Sequence, residues 1–277
     1  MKKLFVEVVV FVVVAFVSPT MLRSGSYPYD YDKVRGDFKK SISYTYSYKF
    51  GKIDIKSKHK ENEIEYNDSG NTIGEIYYNS DNSVKSRNTT EYDNKGNKIK
   101  YSSFKHGDSL SLIVVYSYDS KGNNSKKIYY KPDGAVNFID SCVYDNKNMK
   151  TKVLLLRPNE SPSINLSYTY NTKGQESTMS SYELDGKISA KVTYKYDAKG
   201  NIIEEIQYDR KGVIYIKSIL KYDEKGNNTE EALYSDMKTC YRKYTYKYDS
   251  FGNLIESIEF DASTKEPVSK EEYIYTK

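Results

Sequence analysis

Tryptophan is absent from this chain of 277 residues, and cysteine and histidine occur only twice each. The two histidines, His59 and His106, have no second ligand or catalytic partner at a spacing typical of zinc sites or nucleophilic triads. A phosphate-binding loop and a nucleophile elbow are also missing. These absences argue against an enzyme and leave no cofactor to predict. Paired carboxylates of a glycoside hydrolase stay open, since any two of the 38 acidic residues could meet in the fold.

Neither sign of charge dominates the sequence. The 43 lysines and arginines slightly outnumber the 38 acidic residues, which gives a net charge of +5, and lysine and glutamate are interspersed along the chain. A nucleic-acid-binding protein would carry a local basic patch, so we expect no nucleic acid as a partner. Sustained helical periodicity is missing after residue 22, which leaves β-structure to account for the remainder.

What the sequence has in excess is tyrosine, with 31 residues. Eight tyrosines stand 26 residues apart, and each opens a phrase close to Tyr-Asp-x-x-Gly-Asn. They are Tyr66, Tyr92, Tyr118, Tyr144, Tyr170, Tyr196, Tyr222 and Tyr248. Twelve residues after each comes another large side chain: Tyr78, Phe104, Tyr130, Leu156, Tyr182, Tyr208, Tyr234 and Phe260. A fixed period of this length is the signature of a repeat architecture, here with two turns and two strands per repeat.

The turn that follows Tyr196 is predicted to be a three-residue hairpin loop. Asp197 would begin it, and Gly200 would take the positive φ that a residue without Cβ adopts at low cost. In such a loop Tyr196 pairs with Ile202, and paired residues share a face, so we expect all even-numbered residues to share one face. Between residues 66 and 260, 18 tyrosines are even-numbered and five are odd-numbered, as this rule requires.

These patterns predict an all-β fold: a tandem array of 26-residue β-hairpin repeats, with two antiparallel strands each, forming one long, twisted, curled sheet. An apolar tyrosine face needs cover, so we expect it on the concave or enclosed side. The array is assigned to residues 44–277, with an irregular cap at 44–65 and eight repeats at 66–277. We expect no further domain after it.

The start of the chain is typical of a secretory signal peptide, assigned to residues 1–22 and followed by a linker at 23–43. Lys2 and Lys3 precede the apolar run Leu4–Val17, which Glu7 alone interrupts. We therefore expect an exported protein, in the periplasm, on the cell surface or secreted, with no membrane span after the signal is removed. The two cysteines, Cys142 and Cys240, lie nearly four repeats apart, on the order of 30 Å along such a sheet, so we expect both to be free.

The repeated phrase, with a second Tyr-Asp-x-x-Gly twelve residues on, resembles the YD repeats of RHS-type proteins over about residues 44–277. The resemblance implies a bacterial surface or secreted protein whose repeats form a spiralling β-sheet shell around an enclosed space. Larger members enclose a C-terminal toxin in that shell. This chain has neither the core segment that closes such a shell nor a toxin tip. It is also similar to MORN-type hairpin arrays, whose spacing differs.

The function expected from these features is a non-enzymatic binding or scaffolding surface in the envelope or outside the cell, with carbohydrate or a surface protein as ligand. The alternative is a shell remnant or accessory of an RHS-type toxin system. Calcium at the Asp-containing turns is disfavoured, because the nonapeptide spacing of calcium-binding β-rolls is missing. The five odd-numbered tyrosines are expected on the face opposite the core and are the candidate ligand contacts: Tyr77, Tyr101, Tyr129, Tyr215 and Tyr241. Lysines of that face, such as Lys195, Lys221 and Lys247, are expected to pair with Glu205, Glu231 and Glu259.

Overall fold

The computed structural model describes residues 33–235 and 237–277. Apart from one 3-10 turn at His106–Asp108, the regular structure of these residues is β-strand. The strands are β1 (Lys40–Lys49), β2 (Lys52–Tyr66), β3 (Thr72–Tyr78), β4 (Val84–Tyr92), β5 (Lys98–Lys105), β6 (Ser109–Tyr118), β7 (Asn124–Tyr130), β8 (Val136–Tyr144), β9 (Lys150–Leu156), β10 (Ser163–Tyr170), β11 (Glu176–Tyr182), β12 (Ile188–Tyr196), β13 (Ile202–Asp209), β14 (Ile214–Tyr222), β15 (Asn228–Tyr234), β16 (Cys240–Tyr248), β17 (Leu254–Asp261) and β18 (Pro267–Thr276). The predicted signal peptide lies outside the described residues.

The eighteen strands form one antiparallel sheet that closes on itself. Consecutive strands pair with each other, and β1 pairs with both β2 and β18. Ser41 of β1, for example, lies between Ile64 of β2 and Tyr275 of β18. The expected long, twisted, curled sheet is therefore wrong, because the sheet is a closed barrel. The first hairpin, which looks like a cap in the sequence and begins at Lys40 within the expected linker, supplies the strand that joins both ends, so that no edge stays unpaired.

The hairpin turn has the conformation that the sequence predicts. Gly200 has a φ of 93°, the amide of Asp197 donates to the carbonyl of Asn201 at 2.9 Å, and Tyr196 pairs with Ile202. Asp197 Oδ1 accepts a bond from the Asn201 amide, and Asn201 Nδ2 donates to Asp197 Oδ2, both at 2.8 Å. These two bonds give a physical reason for the repeated Asp and Asn.

Each hairpin also contains a β-bulge, and this feature overturns the parity rule. Tyr196 pairs with Ile202 but Lys195 pairs with Glu204, so Ile203 is an extra residue in β13. An extra residue reverses the alternation of side chains. The face that carries even-numbered residues in β12 therefore carries odd-numbered residues in β13. The even-numbered tyrosines on the face opposite Tyr196 are Tyr78, Tyr130, Tyr182, Tyr208 and Tyr234.

The first tyrosine of every repeat after the first ties its hairpin to the preceding one; in the first repeat, the Tyr66 hydroxyl bonds instead to Ser41 Oγ of β1 at 2.8 Å. Tyr196 Oη donates to the carbonyl of Glu176 at 2.6 Å, and Tyr222 Oη donates to that of Ile202 at 2.8 Å. The same bond to the residue 20 positions earlier is made by Tyr92, Tyr118, Tyr144, Tyr170 and Tyr248. Since this bond needs a hydroxyl, it explains tyrosine, as opposed to phenylalanine, at the 26-residue positions.

Residues 33–39 fasten the closure at the rim formed by the Tyr-Asp turns. The Val34 amide donates to the carbonyl of Gly70 at 2.9 Å, in the first repeat. Asn253 of the eighth repeat accepts from the Arg35 amide at 2.8 Å and donates to the Arg35 carbonyl at 2.9 Å. Residues 33–39 therefore hold the first and last repeats together beside the β1–β18 pair.

Apolar burial is concentrated on one side of the sheet, around Tyr194, Ile202 and Leu220. Each strand packs only against its sheet neighbours, apart from contacts of the 3-10 turn with β4 and β5. Eighteen strands at about 4.8 Å spacing and about 40° tilt enclose a circle roughly 36 Å across. Barrels of this strand number are too wide for their own side chains to fill. The fold therefore encloses a lumen.

Candidate functional site: the lumen wall

The inner face of the barrel is the one that carries Tyr168 and Tyr194. These side chains are 7% and 8% exposed, whereas Thr169 and Lys195, the next residues in their strands, are exposed. In the strands after each Tyr-Asp turn, the bulge places odd-numbered residues on this inner face. The expectation that the tyrosine face is enclosed is thus correct for the first tyrosine of each repeat and wrong for the second.

Three of the five candidate contact tyrosines lie on the inner face, contrary to expectation. Tyr101 and Tyr129 both pair with Val114, which is 3% exposed, and Tyr77 pairs with Asn62 and Ser86. The bulge is the reason for the difference. Burial raises the pKa of Tyr101 to about 12.

The other two candidates, Tyr215 and Tyr241, are bulge residues near the opposite rim. They are 51% and 38% exposed. Tyr215 falls between Ile214 and Ile216, which pair with Tyr208 and Gln207, so that Tyr215 itself has no direct partner in the register. The structure therefore divides the candidate set into three wall residues and two rim residues.

A group of lysines shares the β5–β9 part of the wall with Tyr101 and Tyr129. Lys127 lies opposite Tyr116 of β6, with its ammonium 5.8 Å from the ring centroid, and the ammonium of Lys150 is 5.1 Å from the ring of Tyr168. Burial lowers the pKa of Lys127, and the positive charge of Lys150 lowers it further. Lys98 pairs with Tyr92 on the same face, and we call Lys98, Lys127 and Lys150 the lumen lysines.

Two titratable neighbours complete this part of the wall. Burial raises the pKa of Asp140, which pairs with Lys127 in the register and accepts a bond from Asn165 Nδ2 at 3.3 Å. Burial also raises the pKa of the Cys142 thiol, despite the nearby charges of Lys150 and Lys127. Both cysteines are free thiols. Cys240 lies on a different strand, opposite the outer-face Tyr234.

The β13–β18 part of the wall is acidic, and its carboxylates have partners within the wall. Gln207 Nε2 donates to Glu205 at 2.8 Å, and Tyr246 Oη donates to Glu231 at 3.2 Å. Arg242 forms an ion pair with Glu259 at 2.5 Å, and Tyr273 Oη donates to Glu271 at 2.5 Å. The two parts of the lumen therefore carry opposite charge.

Glu176 stands at the border between these parts and is the wall residue with the least satisfied carboxyl. It is 7% exposed, and its Oε1 has no hydrogen-bond partner. Burial raises its pKa to about 7; the charge of Lys150 opposes this shift and that of Glu205 adds to it. No pattern in the sequence marks this residue, since a glutamate next to a turn is common and its inward direction depends on the bulges.

On the outer face, lysines and glutamates pair across strands in rows. The predicted partners Glu205, Glu231 and Glu259 are wrong because the bulges place them on the inner face. Glu204, Glu230 and Glu256 take their place. Each glutamate is held by lysines of both flanking strands: Glu204 by Lys195 at 2.6 Å and Lys217 at 3.1 Å, Glu230 by Lys221 at 2.8 Å and Lys243 at 2.7 Å, and Glu256 by Lys247 at 2.7 Å and Lys270 at 2.8 Å.

The two histidines lie in different parts of the fold. His59 lies in β2, 3.5 Å from Glu61, and His106 lies in the β5–β6 turn, where it contacts the Val84 carbonyl. Within residues 33–235 and 237–277, no group of three or more His, Cys, Asp or Glu residues is placed to hold a metal ion. The described part of the chain also contains no helix long and apolar enough to cross a membrane. The wall offers ligand contacts: aromatic rings, ammonium groups and carboxyl groups.

Comparison with known proteins gives structural neighbours only. No family model matches the chain, and no curated protein matches it. A porin-like protein from Bacteroides uniformis ATCC 8492 is similar over 88% of this chain and 99% of its own, with 11% identity and a TM-score of 0.44. A porin-like protein from Bacteroides vulgatus ATCC 8482 covers 86% and 98%, with 10% identity and a TM-score of 0.32. The Photorhabdus luminescens Tc holotoxin pore covers 83% of this chain and 18% of its own, with 12% identity and a TM-score of 0.21.

Proposed function

We propose that this chain is an exported, non-enzymatic binding protein whose binding surface is the lumen wall of its barrel. The observation that carries the proposal is the closed sheet. It surrounds a lumen lined by tyrosines, lysines and carboxyl groups, and the described residues do not fill this lumen. Concave surfaces that combine aromatic rings with a few polar groups are the usual form of ligand sites.

The distribution of charge supports the lumen over the outer surface. The outer glutamates each form ion pairs with two lysines, so the charges of the outer rows are balanced within the rows. In the lumen, Glu176 Oε1 is buried without a partner. A buried polar atom without a partner costs free energy in the empty protein, which fits a surface kept for something that binds there.

Export is proposed from the sequence alone, through Lys2, Lys3 and the run Leu4–Val17. The YD-repeat resemblance supports the same location. The alternative function, a shell or accessory of a toxin system, uses the same enclosed space and differs in its occupant, which would be a polypeptide instead of a small ligand or glycan.

The two native thiols provide the test. Cys142 lies in the wall and Cys240 does not, so a ligand that enters the lumen slows alkylation of Cys142 by iodoacetamide and leaves Cys240 unchanged. Pools of oligosaccharides and of extended peptides are offered to the native protein, and both rates are read by mass spectrometry. Protection by the peptide pool alone favours the shell alternative. If neither pool slows Cys142, or if both thiols slow equally, lumenal binding is wrong.

A further inference from the structure

We propose that the β5–β9 wall of the lumen binds an anionic carbohydrate, with Lys127 and Lys150 holding its acidic groups and Tyr101, Tyr116 and Tyr129 packing on its sugar faces. The inference rests on the proposed function and adds to it a ligand class and a subsite.

The first argument is that neither ammonium group forms a direct ion pair within the described residues; Asp140 and Glu176 act on Lys127 and Lys150 only at longer range. Lys127 and Lys150 approach tyrosine rings, and neither has a carboxylate within ion-pair distance among residues 33–235 and 237–277. Asp140 is the acid opposite Lys127 in the register; its carboxyl interacts with Asn165 and with the Tyr129 hydroxyl, and it makes no direct ion pair with Lys127. On the outer face, by contrast, the lysines of the repeating rows are paired. Buried or half-buried charges normally have partners, so the two lumen ammonium groups indicate an anionic ligand.

The second argument is the set of rings around them. Tyr129 stacks on Phe138 with ring centroids 4.1 Å apart and an interplanar angle of 21°, which fixes an aromatic plane on the wall. Tyr101 and Tyr129 flank Val114, two strands apart, so their rings are spaced about 10 Å across the sheet. Flat rings spaced along a groove match the apolar faces of successive sugars, and the hydroxyl groups at their tips can bond sugar hydroxyls.

The third argument is the limited extent of the basic surface. Towards β11 and β13 the wall turns acidic, with Glu176 and Glu205. A nucleic acid carries a charge on every residue and would meet these carboxyl groups as well as the lysines. A saccharide with widely spaced acidic groups can place them at Lys127 and Lys150 and lay neutral rings elsewhere.

Isothermal titration of the native protein tests this directly, with a hyaluronan hexasaccharide, in which acidic and neutral sugars alternate, as the acidic probe and maltohexaose as the neutral one. We expect binding of the acidic probe, weakened by salt, and a loss of about tenfold in affinity for Lys127→Gln and for Lys150→Gln. Lys126→Gln is the matched control, because Lys126 is the preceding residue of β7, is exposed and faces outward. It removes the same charge and should change affinity less than twofold. Tyr129→Leu should weaken binding, and Tyr130→Leu should not.

Three outcomes would overturn the inference. Equal binding of the neutral probe, insensitive to Lys127→Gln, would keep the lumen as a binding site and reject the anionic class. Tighter binding of a thymidine oligonucleotide or of polyglutamate than of the acidic saccharide would reject the carbohydrate. Absence of binding by both saccharides would also reject it, and the thiol-protection assay would then decide separately whether the lumen binds anything.

Discussion

Lys126 and Lys127 are adjacent in β7 and lie on opposite faces of the sheet. Lys126 faces outward and is exposed, whereas Lys127 faces the lumen, approaches a tyrosine ring and has a pKa lowered by burial. The same contrast separates Glu204 from Glu205: the first is held by two outer lysines, and the second is buried against Gln207. Alternation in a strand thus gives two surfaces of different chemistry from one stretch of sequence.

If the lumen binds a ligand as proposed, stability and binding depend on opposite faces of the same strands. Outer pairs are local and self-contained, so the outer face does not depend on a ligand. The inner face keeps groups such as Lys127 and Glu176, whose burial is unfavourable in the empty protein. Adjacent residues are therefore natural matched pairs for experiment.

The largest difference in unfolding free energy is expected between alanine substitutions of Ile202 and of Ile203. Ile202 is 1% exposed in the inner cluster, and Ile203 is the bulge residue, 37% exposed. Ile202→Ala should cost about 3 kcal/mol of unfolding free energy, because it leaves a cavity. Ile203→Ala should cost less than about 1 kcal/mol. Urea denaturation measures both, and similar costs would show that Ile202 does not lie in a packed inner layer.

Inner and outer carboxyl groups should respond to pH with opposite signs. The folded pKa of Glu176 rises from 4.5 to about 7, so the native state holds more protons than the unfolded state between these values. Its contribution to stability is therefore lost as pH increases from 4.5 to 7. Burial opposes ionisation of Glu204, but bonds from Lys195 and Lys217 outweigh it and lower its pKa, so its contribution is lost as pH falls below about 4.5.

Urea midpoints at pH 4 to 8 check this pair. Glu176→Gln should flatten the fall in stability between pH 5 and 8, by an amount on the order of 2 kcal/mol for a shift of this size. Glu204→Gln should leave that range unchanged and reduce the loss at acid pH. An unchanged slope in the Glu176→Gln variant would mean that its carboxyl is solvated.

Replacing tyrosine by phenylalanine should cost more stability on the inner face than on the outer face, by about the contribution of one hydrogen bond. Tyr196→Phe removes the donor to the Glu176 carbonyl, which should cost about 1 kcal/mol. Tyr208, on the outer face, has its ring near the ammonium of Lys191 at 5.9 Å, so Tyr208→Phe should be nearly neutral. Thermal denaturation of the two variants gives the difference, and equal effects would contradict the ladder of hydroxyl-to-carbonyl bonds.

Much of the fold follows from local chemistry that a sequence displays. The Asp197 turn, the positive φ of Gly200 and the pairing of Tyr196 with Ile202 are set by residues within one hairpin, and they are as predicted. Closure is different in kind. It depends on Ser41 meeting Tyr275, a pairing between the two ends of the array that no spacing within a repeat records.

The site was harder to predict because one residue per hairpin decides it. The bulge at Ile203 sends Glu205 inward and Glu204 outward. The equivalent bulges at Ile99 and Ser125 bring Tyr101 and Tyr129 into the lumen with Lys127. A pattern could have revealed the bulges: residues 204, 230 and 256 are all glutamate, 26 apart, and so belong to one outer row. The parity rule predicts that all five candidate tyrosines lie on the face opposite the core, whereas three of them lie on the inner face.

The smallest expected change in unfolding free energy is that of the lysine substitutions. The sign of this change should differ between the inner and the outer face. Lys127→Gln removes a half-buried charge that forms no direct ion pair and interacts with Asp140 only at longer range, so it should leave the empty protein equally stable or more stable by up to about 1 kcal/mol. Lys195→Gln breaks an outer pair with Glu204 and should cost about 0.5 kcal/mol. A residue that weakens the empty protein but strengthens ligand binding is placed for the ligand. If Lys127→Gln is instead clearly destabilising in urea denaturation, the lumen lysine is a structural element and the contrast between the faces disappears.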